Sequence, residues 1–423
     1  MKRRVVVTGM GICAPNAVGL PSFRQAMFEG KSGIRHLPEL ETLGFRCQVG
    51  GIPEITEDIL NDNFNKLDLR DLLSTGLIYG NIAGLEAWKH AGLPFADAEN
   101  PHWDSGIIFG TSILGVDKFR ESILKIDQGN VRRLGSTAVP QTMASGISAF
   151  LAGKIGCGNQ VSSNSSACST GTEAILMAFE RIQNGLADRM LAGSCSDSGP
   201  YVWGGFDAMR VVPSGYNQQP EHASRPMAES AAGFVPSSGA GALVLESLDS
   251  ALERKAHIHA EVLGGAANCG GQRSGGSMTA SNGKAVQRCI TEALRTTGLK
   301  GEHIDVINGH LTATSRDAEE VFNWSRALGR SGDDFPFINS FKDVLGHGLS
   351  ASGSMECVAA LLQFEAGQVI GNRNAADLHP EISQLINPSR VPVENTPAAP
   401  QIIAKASLGF GDVNTCVIFK RYD

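Results

Sequence analysis

Short runs of β-branched and apolar residues recur along the whole chain, each followed by a longer stretch with apolar residues three and four apart. This alternation constrains the fold more than any single motif does. Strands alternating with helices pack as layers of sheet and helix, so the expected fold class is α/β. RVVVTG (4–9), GIIFGT (106–111), RMLAGS (189–194) and GALVLE (241–246) read as buried strands of a first half. IHAEVLG (258–264), IDVING (304–309), PFINS (336–340), IIAKAS (402–407) and CVIFK (416–420) do so in a second. The charged, helical stretch ESLDSALERKA (246–256) links them, which divides the chain into 1–255 and 256–423. Residues from 21 to 145 exceed what the first core requires and are expected to add a helical cap or a subunit contact.

Charge and thiol content narrow the setting. Nine cysteines, an odd number without a CxxC pair, do not make a disulfide framework, and a chain of 423 residues can bury a core without one. They are read as reduced thiols of a cytoplasmic protein. A net charge of -7 argues against a general affinity for nucleic acid or anionic membranes, leaving room for local basic patches. No apolar run reaches the roughly 18 residues of a membrane span, and MKRRVVVTGMG passes into a strand instead of a signal-peptide core. No targeting or anchoring segment is expected.

One cysteine stands apart. In SSNSSACSTGTEAILMAF (162–179), small residues surround Cys168, and a helical pattern follows with Ile175, Leu176, Phe179 and Ile182 on one side. A thiol at the head of a helix feels the partial positive charge of unpaired N–H groups, which favours thiolate and a stronger nucleophile. A buried structural cysteine is the alternative from this stretch alone. A nucleophilic thiol calls for nearby proton-handling groups. His310 follows the strand 304–308, and His347 lies in another glycine-flanked loop after a strand signal, with Lys342 just upstream. Chain ends of strands in α/β sheets open into a shared crevice. His257 and His259 alternate on one strand face, but no third ligand is near in sequence, so no metal site is predicted. Gly9, Gly11 and Ala14 imitate a dinucleotide-binding GxGxxA, yet Pro15 interrupts the helix that would receive the pyrophosphate, and no acidic residue ends a following strand.

Taken in order, RRVVVTGMGICAPNAVG (3–19), SSACSTGTEAI (165–175), GFVPSSGAGALVLE (233–246), GHLTAT (309–314), KDVLGHGLSASGSMECVAALL (342–362) and SLGFGDVNT (407–415) resemble the elongating β-ketoacyl-acyl carrier protein synthases. The resemblance covers nearly the whole chain. It implies a thiolase-like fold of two similar halves in a five-layered αβαβα arrangement. It also implies a decarboxylating Claisen condensation in fatty acid or polyketide-type elongation. On that resemblance Cys168 carries the acyl chain, His310 and His347 donate to the enolate, and Lys342 and Glu356 form a buried ion pair behind them. Thr312 and Thr314 match a pair near the malonyl carboxylate. Phe410 matches a gate, and its backbone N–H joins that of Cys168 at the oxyanion. No cofactor is implied, since substrates arrive on the phosphopantetheine arm of acyl carrier protein. Arg210, Arg132 and Arg133 are the candidates for docking that acidic carrier, with Lys66 and Arg70 contributed by a partner subunit. A homodimer, or a heterodimer with a paralogue, is implied. The alternative within the fold is a non-catalytic chain-length partner; a cysteine hydrolase is a weaker rival. Leu311, Ala228, Ala231 and Leu408 depart from the usual pattern, as does a shortened loop before Asp317 and Glu320, and they point towards a side branch instead of housekeeping elongation.

Overall fold

The computed structural model describes residues 2–97, 99–271, 278–279 and 281–423. Ten strands lie along one sheet path, and their order exposes an internal duplication. The first half contributes β1 (Val5–Ala14), β2 (Ser105–Gly110), β3 (Val161–Ser162), β4 (Arg189–Ser196) and β5 (Gly239–Ser247). The second contributes β6 (Ala260–Cys269), β7 (Val306–Asn308), β8 (Phe337–Asn339), β9 (Ile402–Gly409) and β10 (Val413–Lys420). Their orders are β3-β2-β4-β5-β1 and β8-β7-β9-β10-β6. In each half the first two pairings of that order are parallel and the last two antiparallel. The halves join where Val5–Val7 of β1 pair antiparallel with 260–262 of β6.

Helices complete the layers. The outer face of the first half carries α1 (Thr75–His90), and the space between the halves holds α2 (Thr170–Gln183). The outer face of the second half carries α3 (Gly283–Thr297) and α4 (Asp317–Leu328), and α5 (Ser352–Ala366) packs on α2 in the middle. The result is the expected α-β-α-β-α stack, with one central core shared by the two sheets and one outer core for each half. Met190 and Ala192 point into the central core and Leu191 into the outer one; Val417 and Phe419 face the centre and Ile418 the other side. Because successive strand residues face opposite sides and both sides are covered, these strands read as continuous apolar runs.

The glycines of the false dinucleotide motif have a packing role. A Cβ on Gly9 would lie 2.2 Å from the Ala87 carbonyl oxygen, and one on Gly11 would lie 2.0 Å from that of Ala83. They let α1 lie directly on β1. The expectation that 21–145 is an added cap needs correction: α1 and β2, both inside that span, are core layers, because the outer face of the first sheet requires a helix to cover it. Other parts of the span do lie outside the stack: the separate hairpin Ile34–His36/Val49–Gly51, the helix Glu57–Asn63, the helix Val116–Asp127 and the turn Val131–Arg133. No helix among the described residues is long and apolar enough to cross a membrane, and all nine cysteines are free.

Candidate active site

The nucleophile candidate is held by a backbone turn that no side-chain pattern announces. Ala167–Ser169 forms one 3-10 turn running straight into α2, and Ala167 takes a left-handed φ of 50°. Such a conformation costs a residue with a Cβ about 1–2 kcal/mol, so the surroundings must hold it. They do: the Thr170 hydroxyl donates to the Ala167 carbonyl at 2.6 Å and accepts from the Ser166 N–H at 2.9 Å. From the other half, the end of β9 presses against this turn. A Cβ on Gly409 would stand 2.7 Å from the Ser166 carbonyl oxygen. The close approach brings the backbone N–H of Phe410 to the Cys168 sulfur, beside the N–H of Cys168 itself.

Burial pushes the Cys168 thiol up to about 11, against the pull of Lys342 and those two N–H groups. Desolvation of the charged form is the largest influence on the thiol and opposes the helix terminus, favouring the neutral state.

Both histidines converge on that sulfur. Sγ of Cys168 and one nitrogen from each of His310 and His347 lie within 4.8 Å of one another, with the imidazole centroids 5.3 Å apart and the rings steeply inclined at 81°. His347 Nδ1 accepts from the Ser352 hydroxyl at 2.8 Å and the Leu349 N–H at 3.3 Å, which places its proton on Nε2. Phe234 packs edge-on against the same ring. Burial holds both imidazoles well below their ordinary pKa, and the charges of Lys342 and Lys405 reinforce this, so both are neutral.

His310 sits just beyond β7 in a loop clamped by α4. Glu320 accepts from the N–H groups of His310 and Leu311 at 2.6 and 2.7 Å, and Asp317 from those of Thr312 and Ala313 at 2.9 and 3.0 Å. Burial nonetheless raises Glu320 to about 7. The departure at Leu311 proves structural: it takes φ 24°, and its side chain is fully buried in the outer core of the second half. Thr312 and Thr314 hydroxyls stand 3.1 Å apart.

Lys342 and Glu356 form the expected buried pair, and burial holds Lys342 below its ordinary value. Sequence reasoning missed its third member. Lys405, fully buried on β9, brings Nζ 2.8 Å from the other Glu356 oxygen, so two cations share one carboxylate. The signal was available as a lone lysine inside the apolar strand IIAKAS. Ser352, which fixes the His347 tautomer, gave no comparable signal.

A cavity of about 450 Å³ opens onto these groups, lined by Cys168, His310, His347, Thr312, Thr314 and Phe410 among others. Of the docking candidates, Arg210 is exposed and directly precedes the lining residue Val211 in sequence, without itself lining the cavity. Arg132, Arg133, Lys66 and Arg70 are exposed but neighbour no lining residue in sequence. None of the five has an ion-pair partner among the described residues. Arg316, which also lines the cavity, was not singled out.

A duplicated five-layer α/β stack with a thiol and two neutral imidazoles in one crevice defines a condensing enzyme of the thiolase fold. Comparison with known proteins agrees. The beta-ketoacyl synthase N-terminal domain matches residues 2–251 and the C-terminal domain residues 259–376, and the chain belongs to the beta-ketoacyl synthase family. It is 31% identical to the chloroplastic 3-oxoacyl-[acyl-carrier-protein] synthase I of Arabidopsis thaliana, covering 100% of this chain and 87% of that one. Among solved structures, a beta-ketoacyl synthase from Burkholderia phymatum superimposes with a TM-score of 0.89 at 26% identity, over 100% of both chains. A type II polyketide ketosynthase solved with its acyl-carrier protein gives 0.87 at 27% identity, again over 100% of both.

Proposed function

We propose that the chain catalyses the decarboxylating condensation of an acyl group with malonyl-acyl carrier protein, giving a β-ketoacyl product in fatty acid or polyketide-type elongation. The convergence of Cys168, His310 and His347 in one cavity carries the reading.

In the first half-reaction the Cys168 sulfur attacks the carrier thioester. Its proton ends on the departing pantetheine sulfur, so the neutral resting thiol costs no net charge. The N–H groups of Cys168 and Phe410, which reach the Cys168 sulfur in the free site, would donate to the oxyanion that develops beside it. In the second, the malonyl C–C bond breaks, carbon dioxide leaves, and the electron pair becomes an enolate. Neutral N–H donors such as His347 Nε2 stabilise that oxygen without adding a full charge; removing one such donor typically costs about 100-fold or more. The enolate carbon then attacks the acyl-cysteine, the C–S bond breaks, and the thiolate regains a proton from water. The Lys342–Glu356–Lys405 cluster holds a net positive charge behind these anionic species. Thr312 and Thr314 offer hydroxyls for the malonyl carboxylate.

No cofactor enters this scheme. The carrier's acidic surface would meet the exposed Arg210, next in sequence to the lining residue Val211, with Arg132, Arg133, Lys66 and Arg70 as outlying contacts. The edge strand β3 leaves Val161 exposed, and the helix Val116–Asp127 exposes Phe119 and Ile123; both support pairing with a second copy or a paralogue. Free thiols throughout support a reducing, cytoplasmic setting. Because the thiol and both imidazoles are retained, a non-catalytic chain-length partner is disfavoured. Incubation with acyl- and malonyl-carrier proteins, read by mass spectrometry of the carrier, should give a product two carbons longer bearing a β-keto group. Release of free acid alone would make the protein a hydrolase, and unchanged carriers would make it a non-catalytic partner.

A further inference from the structure

A second cluster of ligating side chains lies where the two halves are joined, and condensation makes no use of it. His257 and His259 alternate just before β6, so their rings share a face with centroids 4.5 Å apart. The His259 N–H donates to the Val7 carbonyl, which fixes this segment against β1. Glu365, in the last turn of α5, places Oε1 2.8 Å from His259 Nδ1. One nitrogen from each histidine and one Glu365 oxygen all lie within 4.8 Å of one another. The third ligand that the sequence could not supply comes from 106 residues further along the chain.

The neighbours leave this trio available. His90, the last residue of α1, stacks on His259 with centroids 4.7 Å apart, but its Nδ1 already accepts from the Met10 N–H. It forms a wall. Arg24 holds the second Glu365 oxygen at 2.8 Å, which orients the carboxylate and leaves Oε1 for a ligand. A carboxylate only accepts, so His259 Nδ1 carries the proton at rest; moving it to Nε2 frees a lone pair without changing charge. His257 is exposed, so an ion has a path in and the ring can close on it. Glu365 lies 13 residues beyond Ser352 on α5, about 20 Å from the His347 partner at 1.5 Å per residue. The cluster is therefore separate from the condensing site.

We propose that His257, His259 and Glu365 bind a divalent transition-metal ion of the zinc type, with water in the fourth position, tying the central helix to the strand that joins the halves. Two imidazoles and one carboxylate form a known kind of zinc donor set, and contraction to metal–ligand distances of about 2.0–2.2 Å needs only side-chain adjustment at the exposed positions.

The test uses full-length protein carrying Cys168→Ala, so that the active-site thiol does not compete for metal. Zinc titration by calorimetry should show one equivalent bound with a dissociation constant on the order of micromolar. Cobalt should bind with visible ligand-field absorption. His257→Ala and Glu365→Gln, each in that background, should weaken zinc binding by about tenfold or more and remove the cobalt bands. Excess zinc should raise the melting temperature of the parent by several degrees and that of both variants by clearly less. Absence of binding up to about 1 mM zinc, or equal affinity in parent and either variant, would overturn the proposal. Circular dichroism of the variants establishes that they are folded.

Discussion

The two halves share a backbone plan and differ in what they place on it. The turn Ala167–Ser169 before α2 matches the turn Leu349–Ala351 before α5, and each begins on a left-handed residue, Ala167 at φ 50° and Leu349 at φ 53°. One position inside each helix, Gly171 and Gly353 let the two helices touch. A Cβ on Gly171 would lie 2.4 Å from the Ser354 nitrogen, and one on Gly353 would lie 2.4 Å from the Thr172 hydroxyl. On this correspondence Cys168 is matched by Ser350, and Glu356 by Ala174. Repetition thus provides two equivalent places at the crevice. Side-chain choice makes one a nucleophile and the other a hydroxyl that donates to the Cys195 carbonyl, and it puts the buried charge cluster on one side only.

Exchanging residues between the halves gives the largest expected effect. Cys168→Ser puts the second half's hydroxyl into the first, and because that hydroxyl does not ionise near neutrality, condensation should fall by at least about 10³-fold in a carrier-linked mass-spectrometric assay. Ser350→Cys should gain no condensing capacity in a Cys168→Ser background. A near-parent rate in either case would erase the distinction between the two positions.

The charge cluster comes next. Glu356→Gln leaves two buried lysines without a counter-charge and should cost about 3–5 kcal/mol in urea denaturation. Lys405→Met leaves a one-to-one pair and should change stability by less than about 1 kcal/mol. A larger loss for Lys405→Met than for Glu356→Gln would show that the second lysine is the one holding this region together.

Smaller effects are expected at the crossing. Gly171→Ala and Gly353→Ala each force backbone or a packed threonine to move and should each cost about 1–3 kcal/mol. Similar losses would sharpen the symmetry, whereas indifference at one glycine would break it. Finally, a thiol raised to about 11 is neutral at rest, and its thiolate fraction grows as pH rises. Alkylation of Cys168 by iodoacetamide, followed by peptide mass spectrometry, should accelerate by about tenfold per unit between about pH 7 and 9. A plateau below about pH 8 would mean that the helix terminus outweighs burial after all.

Much of this was legible before any coordinates. Apolar strands alternating with helical patterns required a covered sheet, and glycine-flanked loops after strands marked Cys168, His310 and His347. Lys405 left a mark too, as a charge inside an apolar strand, but it went unread, and nothing in the sequence tied it to Glu356. The role of Gly9 and Gly11 was hidden, because a glycine that admits a helix and one that admits a phosphate leave the same mark in sequence.

Local order therefore determined the elements, the doubling of the chain and the identity of the reactive groups, since hydrophobic period and turn chemistry act between near neighbours. Only the tertiary structure decided the protonation of Cys168, the sharing of Glu356 by two lysines and the meeting of His257, His259 and Glu365. Burial and charge depend on groups tens to hundreds of residues apart, and those distances exist only once the layers have packed.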